Sequence, residues 1–191
     1  MTANYSSQGP VEREVKLRFD SADDARAAVL TAGATPLRGR RLQEDCLLDT
    51  PAGSLRSRDA ILRVRMEGGR SRITFKGPAQ ITTVRLREEL ETLVGDGELL
   101  LRILEELGYE PWFRYQKYRE EFSVEDVVVA VDETPVGTFV ELEGSEEGID
   151  NVARRLGRSP DEFVLDSYRA LFVSWQRDRR YPGRDMVFDE A

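Results

Sequence analysis

The 191-residue chain suits a single domain, and its net charge of −8, from 36 acidic and 28 basic side chains, disfavours nucleic acid as a partner. The absence of histidine excludes imidazole catalysis and His-ligated metal sites, and a single cysteine, Cys46, excludes an intramolecular disulfide and a Cys-rich zinc site. No run of about 18 apolar residues occurs, so we expect a cytoplasmic protein without a membrane partner.

The first half of the chain is dominated by strand patterns. Residues 1–10 are rich in Ser, Asn, Gly and Pro, and we expect this N-terminus to be disordered. A helix is predicted over 22–32, because Ser21 is a suitable N-cap and Gly33 ends the apolar pattern. Alternation of apolar and polar residues predicts strands over 11–19, 42–49, 60–67, 71–76 and 84–93, with a Gly68-Gly69 turn inside one hairpin.

The second half adds helices to further strands. Strands are predicted over 113–124, 127–132 and 138–143, and helices over 96–107, 149–156 and 166–176. About eight strands, mostly joined as hairpins, predict an α+β fold with a closed antiparallel β-barrel flanked by helices. This domain would span residues 11–176, and residues 177–191 would form a polar C-terminal tail.

Five predicted strands carry charges on one face and mainly apolar residues on the other, because side chains at i and i+2 share a side. For any one strand, the alternative is an amphipathic sheet whose charged face lies in water. The helices also have apolar faces, however, and if these cover the apolar side of the sheet, the charged side closes into a polar interior that holds water, ions and a ligand.

The charges of that interior indicate its ligand. Polyphosphate oxygens match the guanidinium and ammonium groups of the basic set, Lys16, Arg63, Arg65, Lys76, Arg87, Lys117 and Arg119. Carboxylates are the remaining metal ligands and favour Mg²⁺ or Mn²⁺; the acidic set is Glu12, Glu14, Asp132, Glu141 and Glu143. Glu89 and Glu91 either bind metal or pair with the interior bases. A nucleic-acid groove would need the basic set without the acidic one.

Some other residues are interpreted as structural. Cys46 is expected to be a small buried hydrophobic residue and not a nucleophile. Trp112 and Trp175 are expected to pack in the core, and Asp45 and Asp49 to serve in turns or ion pairs.

An ordered set of motifs resembles the CYTH-domain proteins, also called triphosphate tunnel metalloenzymes. That family includes class IV adenylate cyclases, thiamine triphosphatases and inorganic triphosphatases. The motifs cover about residues 11–175: E-x-E-x-K from Glu12, Leu62-Arg63-Val64-Arg65, Lys76-Gly77-Pro78, R-x-E-x-E from Arg87, Lys117-Tyr118-Arg119, Asp132, Gly137 to Glu143 as G-x-F-x-E-x-E, and Ser167-Tyr168.

The resemblance implies an eight-stranded antiparallel tunnel, with the acidic set near metal and the basic set on the triphosphate. The chain departs from the family pattern after Asp45, where many relatives have an aromatic residue and this sequence has Leu47 and Leu48.

The function predicted from the sequence is Mg²⁺- or Mn²⁺-dependent hydrolysis of inorganic tripolyphosphate or an organic triphosphate. Glu141, Glu143 and Lys76 are the predicted catalytic residues, a carboxylate orienting the attacking water. One alternative is a class IV adenylate cyclase that converts ATP to cyclic AMP and pyrophosphate; another is a non-catalytic polyphosphate or nucleotide sensor. The expected partner is a small-molecule triphosphate or nucleotide, and a homodimer is left open.

Overall fold

The computed structural model describes residues 11–189, so the predicted disorder of residues 1–10 lies outside the described part. The nine strands of that part are β1 (Val11–Phe19), β2 (Thr35–Asp49), β3 (Ile61–Glu67), β4 (Arg70–Lys76), β5 (Gln80–Ile81), β6 (Arg85–Val94), β7 (Glu110–Val124), β8 (Val127–Thr134) and β9 (Gly137–Glu143). Its α-helices are α1 (Ala22–Thr31), α2 (Gly97–Glu106), α3 (Glu146–Arg155) and α4 (Tyr168–Arg179). None of these helices combines the length and the apolar character that crossing a bilayer requires.

Eight of the strands form a closed antiparallel barrel, which confirms the predicted fold class. They follow the order β1-β9-β8-β7-β2-β3-β4-β6, and β6 pairs with β1 to close the ring. The two-residue strand β5 was not predicted and pairs only with β6.

The bounds of most elements differ from those predicted by three residues or fewer, and the start of β2 differs by more. Strand β2 begins at Thr35 instead of residue 42, because its exposed first part pairs with the end of β7 and so needs no buried face. Helix α3 begins at Glu146, where Ser145 caps it by accepting a hydrogen bond from the N–H of Gly148. Helix α4 continues to Arg179, beyond the predicted end at residue 176.

Helices α1, α2 and α3 cover the apolar outer face of the barrel. Helices α1 and α3 contribute Val29, Ile149 and Val152 to a core with the outward-facing residues of β1, β8 and β9. Helix α2 contributes Leu101 and Leu104 to a second core on β2 and β3. Because these helices take the apolar face, the charged face of each strand is turned inward.

Helix α4 does not pack on the outer face of the barrel. It packs on apolar residues that lie on the inward face of the strands, the same face that carries the charged side chains. Tyr168 and Phe172 of α4 are buried, and the chain then returns to the barrel, where Met186 is 0% exposed and bridges to β7. The inward-facing partners of this apolar cluster are Leu47, Phe113, Tyr115 and Phe139. One part of the barrel interior is therefore apolar and closed by α4, and the charges occupy the rest.

A buried carboxylate organises the loop between β2 and β3. Asp49 is 1% exposed and accepts hydrogen bonds from the backbone N–H groups of Thr50, Leu55 and Arg56 at 2.8, 2.9 and 3.0 Å. It also accepts one from Nε of Arg56 at 2.9 Å. Burial alone would raise the pKa of this carboxyl, but the four donors lower it below its ordinary value.

We expect Asp49→Asn to lower the free energy of unfolding at neutral pH by about 1.5–3 kcal/mol, because a neutral amide replaces the ionised acceptor. Since the folded-state pKa is lowered, this contribution is fully present above the unfolded pKa of about 4 and is lost as the pH falls through the folded value. Urea denaturation of both proteins at neutral pH and in acid measures it. A stability difference that persists undiminished in acid would contradict the assignment.

Candidate active site

The inward-facing charges line one cavity of about 660 Å³. Eleven of the twelve predicted site residues border it; the exception is Asp132, which lies behind the cavity wall. The basic residues border this cavity with little of their surface exposed: Lys16, Arg63, Arg65, Arg87, Lys117 and Arg119 are each 8% exposed or less.

The two arginines of β3 are held by a carboxylate of the neighbouring strand. Arg65 faces Asp45 in the β2–β3 ladder and donates to it from Nε at 2.8 Å and from Nη2 at 3.1 Å. Nε of Arg63 lies 3.4 Å from the same carboxylate. Burial would raise the pKa of Asp45, but Arg65 and Arg63 lower it. Asp45 is therefore an ion-pair residue, one of the two roles predicted for it, and it fixes both guanidinium groups at the cavity wall.

Asp132 joins three other side chains and is 0% exposed. Its carboxylate accepts hydrogen bonds from Nζ of Lys117 at 2.8 Å, from Nε and Nη2 of Arg119 at 2.7 and 2.6 Å, and from the hydroxyl of Tyr168 at 2.6 Å. Burial and the nearby Arg119 lower the pKa of Lys117 to about 8. The structure thus places Asp132 behind two cavity bases and not on the surface that a ligand could reach.

The two lysines also pair with acids that were assigned to metal. Nζ of Lys16 lies 3.0 Å from Glu14 and 3.4 Å from Glu141. Nζ of Lys76 contacts Glu12 and lies 2.9 Å from Glu89. Burial would lower the pKa of Lys16, but Glu14 and Glu141 raise it above its ordinary value, so this lysine stays charged. Members of the acidic and basic sets therefore form ion pairs with each other within the cavity.

Glu89 and Glu91 pair with bases, which was one of the two roles left open for them. Glu89 lies 2.9 Å from Lys76 and 3.7 Å from Arg63. Glu91 lies 2.7 Å from Arg72 and accepts a hydrogen bond from Thr74 at 2.9 Å.

Arg87 is tied to backbone, and its neighbour Arg85 was missed. Nε of Arg87 donates to the carbonyl oxygen of Gly77 at 2.6 Å, and its Nη2 donates to that of Asp59, so this side chain anchors two loops. Arg85 lies two residues earlier on β6, hence on the same strand face, and it lines the cavity. Its buried Nε has no hydrogen-bond partner in the described chain. The same i, i+2 rule that identified Arg87 would have identified Arg85.

Glu143 differs from the other acids of the cavity. It faces Glu14 in the β1–β9 ladder, it is exposed at the cavity edge, and within residues 11–189 its carboxylate has no hydrogen bond or ion pair. Partial desolvation and the neighbouring carboxylates of Glu12 and Glu141 raise the pKa of Glu143 to about 7. Glu141, in contrast, lies 2.6 Å from Arg119 and 3.4 Å from Lys16. Glu143 is therefore the carboxylate whose oxygens are free.

No preassembled metal cage is present: in the described part of the chain, no three Asp, Glu or Cys side chains are gathered as an ion site. The donor set nevertheless fits a hard divalent ion, because Mg²⁺ is usually bound by one or two carboxylates with water and substrate phosphates. Glu143, with Glu14 opposite and Glu12 nearby, supplies such oxygens.

Another polar cluster lies at the β2, β3 and β7 side of the cavity and was not predicted. Glu67 is 6% exposed and accepts hydrogen bonds from Gln43 at 2.6 Å, from Arg41 at 2.5 Å, and from Arg38. Arg41 also lies 2.8 Å from Glu121. Arg38 and Arg41 could not be assigned to it from the sequence, because β2 was predicted to begin at residue 42 and both residues lie before that point.

An aromatic side chain and a thiol complete the surroundings of Asp45. Tyr115 faces Asp45 in the β2–β7 ladder and lines the cavity beside Arg63, so β7 supplies an aromatic residue near the position where β2 has Leu47. Cys46 is 2% exposed and packs with Leu48 on the opposite strand face. Burial raises the pKa of its thiol to about 11, as befits a structural residue.

Comparison with known proteins gives matches along most of the chain. The family model of the CYTH domain matches residues 11–159. A Methanocaldococcus jannaschii protein named putative adenylate cyclase is 27% identical over an alignment of 172 residues that covers 84% of this chain and 98% of that protein. The solved structure of the PH1012 protein of Pyrococcus horikoshii is 28% identical with a TM-score of 0.71, covering 84% of this chain and 98% of its own.

A plant protein shares the fold at lower identity. The structure of a Hippeastrum protein, described as a putative adenylyl cyclase with a dominant triphosphatase activity, has a TM-score of 0.65 at 20% identity. It covers 86% of this chain and 96% of its own. At that identity the likeness extends to the fold alone.

Proposed function

Because this chain belongs to the CYTH domain family, we propose that it hydrolyses a phosphoanhydride bond of a triphosphate held inside its barrel, with Mg²⁺ or Mn²⁺. The observation that carries the proposal is the cavity itself. All seven bases of the predicted set border it together with Glu143, a carboxylate with no hydrogen bond or close ion pair among the described residues. In this arrangement the basic side chains can bind phosphate oxygens, and the carboxylate of Glu143 can bind a divalent metal ion.

The basic side chains bind the phosphates in this proposal. Arg63 and Arg65 are oriented by Asp45, and Lys117 and Arg119 are oriented by Asp132, so each pair is held in place before the ligand arrives. Such preorganised donors cost no reorganisation when charge develops on the leaving and equatorial oxygens. Arg87 contributes less directly, since its Nε and Nη2 are bound to backbone carbonyls.

The acids divide into two roles. Glu141 orients Arg119 and Lys16, and Asp132 orients Lys117 and Arg119, so both act as positioning residues. Glu143, Glu14 and Glu12 would hold the ion, which when bound neutralises phosphate charge and makes the phosphorus more open to attack. The free carboxylate of Glu143 also accepts a hydrogen bond from the attacking water and aligns it with the phosphorus. Lys76 remains protonated beside Glu12 and Glu89 and stabilises the leaving oxygen.

The second candidate is a class IV adenylate cyclase, which the name of the M. jannaschii relative favours. The cyclase would bind the phosphates with the same basic set, but the 3′-hydroxyl of ATP would attack the α-phosphorus. A third possibility, a sensor without catalysis, would leave the free carboxylate of Glu143 without a task.

We expect purified protein to release phosphate from tripolyphosphate with Mg²⁺ or Mn²⁺, and to lose that activity in EDTA by at least about a hundredfold, because only carboxylate oxygens are available as ligands. Activity should return when the metal is restored in excess. Parallel incubations with ATP and thiamine triphosphate, with phosphate, pyrophosphate and cyclic AMP all measured, identify the reaction.

Each outcome has a distinct meaning. Cyclic AMP with pyrophosphate would replace the hydrolase by the cyclase. Thermal stabilisation by tripolyphosphate without turnover of any substrate would indicate the sensor. Undiminished activity in EDTA would refute the role of a metal.

A further inference from the structure

A second cavity lies beside the barrel cavity. It has a volume of about 350 Å³ and is bordered by the loop after β2, the start of β7 and the segment after α4. Three residues border both cavities: Arg56, Trp112 and Arg169. The two spaces therefore meet at these side chains.

Arg169 forms no close ion pair in residues 11–189, although the carboxylate of Asp185 is near enough to act on its charge. Its guanidinium carbon lies 4.9 Å from the ring centroid of Phe113 and 5.9 Å from that of Trp112. Its Nη1 is buried and has no hydrogen-bond partner, and no carboxylate of residues 11–189 lies within 4.0 Å of it. A buried guanidinium nitrogen without an acceptor is costly unless a ligand supplies one.

Two further arginines reinforce the positive charge around this point. Arg56 lies 4.7 Å over the ring of Trp112 and is exposed, with its Nε bound to Asp49. Arg184 borders the second cavity and is fixed by donating to the carbonyl oxygens of Trp112 and Pro111 at 3.0 and 2.8 Å. The nearby acids offset this charge only in part. Asp49 is already saturated by the four donors of its loop, and Glu110 is exposed. Asp185 acts on Arg169 from beyond ion-pair distance and already accepts a hydrogen bond from the N–H of Arg114 at 2.8 Å.

We propose that Arg56 and Arg169 form a second oxyanion subsite, at the edge of the barrel cavity where the second cavity meets it, which binds a phosphate group. A tetrahedral oxyanion would supply the acceptor that Nη1 of Arg169 lacks and would relieve the repulsion between the two guanidinium groups. The phosphate could come from two sources: the far end of a chain longer than a triphosphate that leaves the barrel cavity here, or a separate inorganic phosphate ion. The first source rests on the proposed function, and the second does not.

The test is calorimetric titration in EDTA, which prevents metal-dependent turnover. We expect the parent to bind tetrapolyphosphate about tenfold more tightly than tripolyphosphate, the ratio given by one added charge-assisted contact. Arg169→Met keeps a long apolar side chain against Phe113 but removes the charge. It should bring this ratio to about one without weakening tripolyphosphate binding. Arg114→Met, an exposed arginine of β7 that borders neither cavity, should retain the parental ratio.

A second titration separates the sources. If the ligand is a separate ion, inorganic phosphate will bind to the parent already saturated with tripolyphosphate, and Arg169→Met will lose that binding. The proposal is overturned if the parent shows neither effect, or if Arg169→Met shows the effects undiminished; Arg169 then only packs on its two aromatic neighbours. Failure of tripolyphosphate to bind the parent would refute the barrel site instead, and the phosphate titration of free protein would then decide the subsite. Arg56→Gln, at an exposed position, gives the same readouts if Arg169→Met does not fold.

Discussion

Glu143→Gln is expected to lower metal-dependent phosphate release by at least about a hundredfold, since even the outer partners of metal ligands usually contribute ten- to a hundredfold. The glutamine keeps the size of the side chain but removes the charge that would attract a divalent ion and align water. Binding of tripolyphosphate in EDTA should be unchanged or tighter, because one negative charge has been removed from the cavity. Phosphate release and calorimetric affinity, measured on the same preparation, give both quantities.

The matched control is Glu106→Gln, which makes the same chemical change at an exposed position on α2, outside both cavities. It should behave as the parent does. If Glu143→Gln turns over tripolyphosphate normally while remaining folded, the role of the β9 carboxylates in metal binding is wrong and the hydrolytic mechanism must be abandoned.

Asp132→Asn is expected to lower the free energy of unfolding by about 3–5 kcal/mol, the effect of leaving a buried charge without its partner. Asp132 is fully buried, and its carboxylate is the shared acceptor for Lys117, Arg119 and Tyr168. Without its negative charge, the two buried bases repel each other, and the low effective dielectric constant of their surroundings strengthens that repulsion. Urea denaturation at neutral pH measures the loss.

Tripolyphosphate provides an internal check on this explanation. Because the anion would restore negative charge beside Lys117 and Arg119, it should raise the melting temperature of Asp132→Asn by more than that of the parent. Asp178→Asn, an exposed change on α4, should alter the unfolding free energy by less than about 0.5 kcal/mol. An Asp132→Asn protein as stable as the parent would show that Asp132 is not needed to hold the bases, and its assignment as a positioning residue would fail.

Much of the site was predictable from strand periodicity. Side chains two residues apart share a strand face, so pairs such as Arg63 and Arg65, or Lys117 and Arg119, could be placed together without knowing which strands are neighbours. The apolar residues between them required a cover, and α1, α2 and α3 provide it. Those two facts lead to a closed barrel with a charged interior.

Partnerships across strands could not be predicted, because they depend on register. The sequence does not show that Asp45 faces both Arg65 and Tyr115, or that Glu14 faces Glu143. The depth of Asp132 depends in addition on Tyr168, which α4 brings from more than thirty residues farther along the chain. Acids that looked equivalent in the sequence therefore have different surroundings, and Glu143 alone among the predicted metal ligands is without an ion-pair or hydrogen-bond partner in residues 11–189.

The closure of the barrel by β1 also determines when this site can exist during biosynthesis. Strand β1 is the first to be synthesised, yet it pairs with β9 and β6 and not with β2. Glu12 and Glu14 therefore remain on an unpaired strand until the ribosome has delivered β6, and Lys16, whose ladder partner is Glu141, until it has delivered β9. Contacts so distant in sequence make folding slow, because the entropy of closing a long loop is lost before the pairing compensates for it. The nascent chain would hence close its barrel only late, after β9 has been synthesised.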